Sequence, residues 1–112
     1  MIKKSFGGQL TTSYTTIYEV PQGKKAEWVL LYVVNDSGST SDFSVRMYNA
    51  AADTNIQIFD DKSLSDGEFF KIGGGYNEFI MLAEGDRVEA LDGNGMTLLM
   101  SVIENNDIIQ GG

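Results

Sequence analysis

The stretch Glu27-Trp28-Val29-Leu30-Leu31-Tyr32-Val33-Val34-Asn35, followed by Asp36-Ser37-Gly38-Ser39-Thr40-Ser41, decides the fold class. Its apolar run, residues 28–34, is rich in β-branched and aromatic side chains, which suit a pleated surface. It is far shorter than the roughly 20 residues a membrane helix needs. The polar, Gly-containing segment after it has turn chemistry. Successive side chains of a strand point to opposite faces. Val29, Leu31 and Val33 would therefore line one side, and Trp28, Leu30, Tyr32 and Val34 the other. A sheet with one wet face alternates apolar and polar residues. A strand apolar on both faces is expected to be covered on both; the candidates for the second cover are a loop, the N-terminal arm and another subunit, the last being favoured.

Outward from this strand, turn signals recur at residues 21–23, 53–55, 65–67, 73–75, 84–86 and 92–95. Short segments between such signals point to a sandwich or barrel. Further strands are expected over 14–20, 43–48, 56–59, 69–72, 78–82, 87–91 and 97–104. In the third, Phe43, Val45 and Met47 share a face. Val88 with Ala90, and Leu98 with Met100 and Val102, do the same in the last two. Leu99 and Ile103 lie opposite the Leu98 face, so this strand is also apolar on both sides. Residues 49–52 read as a single turn. No segment carries a sustained helical period. The expectation is one all-β domain over residues 1–112, an antiparallel, jelly-roll-like β-sandwich of about eight strands.

The two ends read as arms, over 1–9 and 105–112. Each carries apolar residues beside glycines: Ile2 and Phe6 in the first, Ile108 and Ile109 in the second. The expected interaction residues are therefore Trp28, Leu30, Tyr32 and Val34, with Leu99 and Ile103 on the last strand. Phe6, Ile108 and Ile109 join them from the arms, for which simple fraying is the other reading.

The 112 residues hold 16 acidic and 8 basic side chains, a net charge of −8, with no Cys and no His. Nucleic-acid binders usually show a basic stripe, so nucleic acid is not an expected partner. Neither is a membrane. No apolar segment follows the basic start, so a secretory signal is not expected. Without His the commonest general base and metal ligand is missing, and without Cys so is thiol chemistry. Carboxylate pairs remain: Asp60 with Asp61, Asp66 with Glu68, and Glu84 with Asp86. All fall in or beside turns, where such residues usually bond local backbone. Asp92-Gly93-Asn94-Gly95 and the stretch from Asp36 to Asp42 resemble pieces of calcium loops, but the full ligand pattern is absent. Asn94-Gly95 is the dipeptide that a tight hairpin prefers. Gly73-Gly74-Gly75 lacks the Lys and Ser or Thr of a phosphate loop. No catalytic, cofactor or metal site is expected. An aromatic sugar platform built from Trp28 with Tyr14, Tyr18, Tyr32, Tyr48 and Tyr76 is the alternative use of the aromatics.

Thr15-Thr16-Ile17-Tyr18-Glu19-Val20-Pro21-Gln22-Gly23-Lys24-Lys25-Ala26, with the long apolar strand and polar turn after it, resembles the opening of small jelly-roll proteins of tailed phages. Leu82-Ala83-Glu84-Gly85-Asp86-Arg87-Val88 resembles the turn and strand that such domains use near their last hairpin. The resemblance spans roughly residues 15–103. It implies a virion structural protein, foremost a capsid decoration (cement) protein assembled in the host cytoplasm. The partners it implies are the chain itself, as a homotrimer, and the major capsid protein. A tail- or fibre-associated receptor or glycan-binding module is the alternative.

Overall fold

In the computed structural model, which describes residues 2–73, 75 and 80–106, nine strands form. They are β1 (Ile2–Gln9), β2 (Thr15–Glu19), β3 (Lys24–Val34), β4 (Ser41–Asn49), β5 (Thr54–Leu64), β6 (Phe69–Gly73), β7 (Ile80–Leu82), β8 (Arg87–Asp92) and β9 (Thr97–Asn106). One sheet has the order β1-β9-β3-β6, with β7 also beside β3; the other has the order β2-β8-β4-β5. Every pairing is antiparallel. The chain changes sheet at every connection except the β4–β5 hairpin and the β6–β7 segment. The result is a jelly-roll-like β-sandwich.

The core lies between the sheets and follows the alternation expected of three strands. Phe43, Val45 and Met47 of β4 point inward, as do Val88 and Ala90 of β8. Leu98, Met100 and Val102 of β9 close on them from the other sheet. Phe70 and Phe59 flank Phe43, with ring centroids 6.0 and 6.1 Å away.

β3 departs from simple alternation. Its pairing with β9 shifts between Trp28 and Leu30, so Val29 is the extra residue of a bulge. Side chains before and after a bulge change phase. Ala26 and Trp28 therefore share the core with Leu31 and Val33. The Trp28 indole N–H donates to the Leu30 carbonyl across the bulge, at 3.0 Å. Gly73 at the end of β6 fits against the same irregularity. Its φ is +82°, and a Cβ there would lie 2.2 Å from the Val29 carbonyl oxygen. No side chain is compatible with that approach or that backbone.

The N-terminal segment read as an arm is a strand. β1 pairs with β9 along its whole length, Ile2 opposite Glu104 through Gln9 opposite Thr97. Phe6 stands opposite Met100 on the inner face, and its ring lies 4.8 Å from that of Tyr18. Lys4 shares that face and reaches the Glu104 carboxylate at 2.9 Å. Glu104, 2% exposed, also accepts the Tyr18 hydroxyl at 2.6 Å. A lysine on the inner face and two glycines hide the apolar period of this strand. At the other end, residues 105 and 106 belong to β9, while Ile108 and Ile109 lie outside the described residues.

Candidate interaction surface

The outer face of the five-stranded sheet is set by register. Thr97 lies between Gln9 and Val34, and Val34 is opposite Phe69. Leu99 lies between Gly7 and Tyr32, and Tyr32 is opposite Lys71. Ser101 lies between Ser5 and Leu30, and Ile103 between Lys3 and Glu27. Glu27 in turn is opposite Met81. Leu30, Tyr32, Val34 and Ile103 are half-buried, while Leu99 is 40% exposed. Phe69 is 60% exposed and Met81 51%. The Phe69 ring stacks on Tyr32 at 5.6 Å. These residues form an apolar patch centred on Tyr32 and Leu99, with Lys3 and Lys71 beside it and Glu27 set between Ile103 and Met81.

Five of the expected interaction residues meet here: Leu30, Tyr32, Val34, Leu99 and Ile103. Trp28 and Phe6 do not, because the bulge turns the first inward and the β1 register the second. Trp28 is 4% exposed, which also takes it out of any open aromatic platform. Phe69 and Met81 were not among the expected residues. The adjacency of Phe69 and Phe70 held the signal, since neighbours on a strand face opposite ways. Phe70 packs on the Phe43 cluster, so Phe69 must point out.

The outer face of the four-stranded sheet is polar and tightly paired. Arg46 Nε donates to Glu89 Oε1 at 2.7 Å and Arg87 Nε to Glu89 Oε2 at 3.1 Å. The two guanidinium groups also cover Tyr14 and Tyr48, at 3.7 and 4.1 Å from the ring centroids.

Two of the acidic pairs weighed for catalysis brace turns, whereas Asp60 and Asp61, expected in or beside a turn, lie within β5. Glu84 accepts the Gly23 amide at 2.6 Å, and Asp86 accepts those of Ala50 and Ala83, both at 2.9 Å. Asp66 accepts the Gly38 amide at 3.1 Å, and Glu68 that of Ser65 at 2.6 Å. The Asp61 amide donates to Ser44 Oγ at 3.0 Å. Asp92, fully buried, accepts the Ser41 hydroxyl at 2.6 Å and the amides of Asn94 and Met96 at 2.8 Å. Its loop is not the tight hairpin that Asn94-Gly95 suggested: it crosses from β8 in one sheet to β9 in the other, held from inside by its own carboxylate. Among the described residues, no three His, Cys, Asp or Glu side chains gather as metal ligands do.

Three of the buried carboxylates carry a pH dependence. Burial alone would raise each carboxyl, but its partners lower it by more. For Glu104 these are the Tyr18 hydroxyl and the Lys4 ammonium; for Asp92, the Ser41 hydroxyl and the turn amides; for Glu89, Arg46 and then Arg87. Conversely, burial and the Glu104 carboxylate raise the Tyr18 phenol. A carboxyl depressed on folding stabilises the fold above its unfolded pKa, about 4. That contribution is lost as pH falls through the lower folded value. The expected urea-unfolding free energy is level between about pH 7 and 5 and declines steadily below about pH 4. Equal stability at about pH 7 and about pH 3 would show that these carboxylates contribute nothing.

No protein-family model matches the chain, and no curated protein matches it.

Proposed function

We propose that this protein is a structural component of a tailed-phage virion, a capsid decoration (cement) protein that binds the shell through the outer face of its five-stranded sheet. The observation that carries this reading is the exposed apolar patch of Leu99, Tyr32, Phe69 and Met81 on an acidic chain. Contiguous apolar patches on the surface of a soluble domain mark interaction sites. Aromatic residues and Met are enriched at such interfaces. The resemblance of residues 15–26 and 82–88 to phage jelly-roll proteins supplies the virion context. The carboxylates that brace turns and the Arg46–Glu89–Arg87 pairing of the opposite sheet fit an architectural role.

The test is light scattering of the purified protein with and without empty capsid shells. The wild-type chain is expected to add mass to the shells. Leu99→Lys and Tyr32→Ala are expected to weaken that binding by at least about tenfold, as loss of a central interface contact does. Their unfolding midpoints should stay near wild type for Leu99→Lys, whose side chain already reaches solvent. Wild-type protein that leaves shells unchanged would overturn the assignment.

A further inference from the structure

We propose that β1 is a self-recognition edge, pairing antiparallel with β1 of a second copy about a twofold axis at Ser5. This goes beyond the shell-binding role and does not depend on it.

The four sheet edges differ in regularity. β2 has a bulge between Thr16 and Tyr18, and β5 has two register shifts plus Asp61 at φ +52°. The edge beside β3 is divided between β6 and β7. β1 alone runs without a register break, paired on one side with β9 and, among the described residues, with no strand on the other. Its residues are exposed apart from half-buried Phe6, and Ile2 is 50% exposed. An unbroken free edge presents a row of backbone donors and acceptors to another strand. Lysines on such an edge normally discourage pairing, so their placement decides whether β1 is closed or open.

The partner's chemistry follows from register. A twofold axis perpendicular to the sheet keeps inner faces aligned, so it must pass through a residue pair. An axis at Lys4 opposes Lys4 to its own copy, and like charges directly opposite destabilise a sheet. An axis at Phe6 carries Ile2 past the strand, to the position of Leu10, which is turned into the core and 2% exposed. An axis at Ser5 pairs seven of the eight residues of β1, as an axis at Phe6 does, but keeps the apolar Ile2 within the pairing. It sets Lys3 against the second copy's Gly7, Lys4 against Phe6, and Ile2 against Gly8. No lysine then faces a lysine. Lys4 is already neutralised by Glu104. Ile2 lies over open space, since a Cβ at Gly8 would meet nothing within 4 Å. The small Ser5 pair sits at the axis. Such an isologous contact is closed and gives a dimer, in place of the threefold assembly that the family resemblance implies.

The chain has no Cys, so single-cysteine variants report the register cleanly. Directly opposed antiparallel residues have Cα atoms about 4.5–5.5 Å apart, within the span a disulfide bridges. On mild oxidation Ser5→Cys should therefore be captured as a covalent dimer at least about tenfold faster than Lys3→Cys or Lys4→Cys, whose copies lie beyond about 7 Å. Ser5→Lys, which places like charges at the axis, should weaken the dimer at least about tenfold in analytical ultracentrifugation. A wild-type chain that sediments as a monomer would overturn the proposal. So would equal capture at all three positions, or faster capture at Lys4. The shell-binding reading fails separately, when dimers form and shells remain unbound.

Discussion

Phe43→Ala is expected to cost about 3–5 kcal/mol of folding free energy, the range for truncating a fully buried aromatic ring. Phe43 has no exposed surface and stands near the start of β4, beside Phe59 and Phe70. Those two rings meet edge to face at 4.9 Å. Both would lose their common neighbour, and strands from both sheets would border the cavity. A domain of this size has roughly 5–15 kcal/mol to lose, so the variant should sit close to its unfolding transition at 37 °C. Phe43→Leu keeps most of the volume and should cost clearly less than Phe43→Ala. Urea denaturation of the three proteins measures the difference. An Ala variant within about 1 kcal/mol of wild type would mean that this cluster is not where the two sheets are held together.

Asp92→Ala should be nearly as damaging, at about 3 kcal/mol or more, although Asp92 is charged and lies at a turn. Its carboxylate is the acceptor for the Ser41 hydroxyl and for the Asn94 and Met96 amides. A buried donor left without a partner costs about 1–3 kcal/mol, and the substitution strands more than one. Asp92→Asn keeps an acceptor oxygen but brings an amino group towards donors, so it should fall between wild type and Ala. Thermal unfolding at pH 7 is the measurement. A melting point unchanged by Asp92→Ala would show that water replaces the carboxylate. The same bonds explain why a segment resembling part of a calcium loop has its main oxygen donor turned into the fold.

The strands whose alternation is regular were legible from the sequence. β4, β8 and β9 bury the residues their periods indicate, because one face of each meets only the core. The outer patch was half legible. Leu30, Tyr32, Val34, Leu99 and Ile103 stand where a second apolar face requires them. Phe69 was implied by its neighbour Phe70 but needs the position of Phe70 to be oriented. Trp28 was placed on the wrong side because one extra residue at Val29 reverses the phase of everything before it. A bulge leaves no mark in a run where every residue is apolar. β1 was concealed for a related reason. Its inner-face Lys4 is admissible only because Glu104, a hundred residues later in the chain, supplies a buried carboxylate.

The order of residues was enough for the class of this protein: an all-β domain with a redundant apolar face and no histidine or thiol chemistry. Those properties follow from local period, turn chemistry and composition, which each segment carries alone. Which apolar residues are spare, and that β1 is a strand with no neighbour on its outer side among the described residues, came from the packed fold. Both depend on cross-strand register, through the bulge at Val29 and the pairing of β1 with β9. Register belongs to two strands at once, so neither strand's residues can state it.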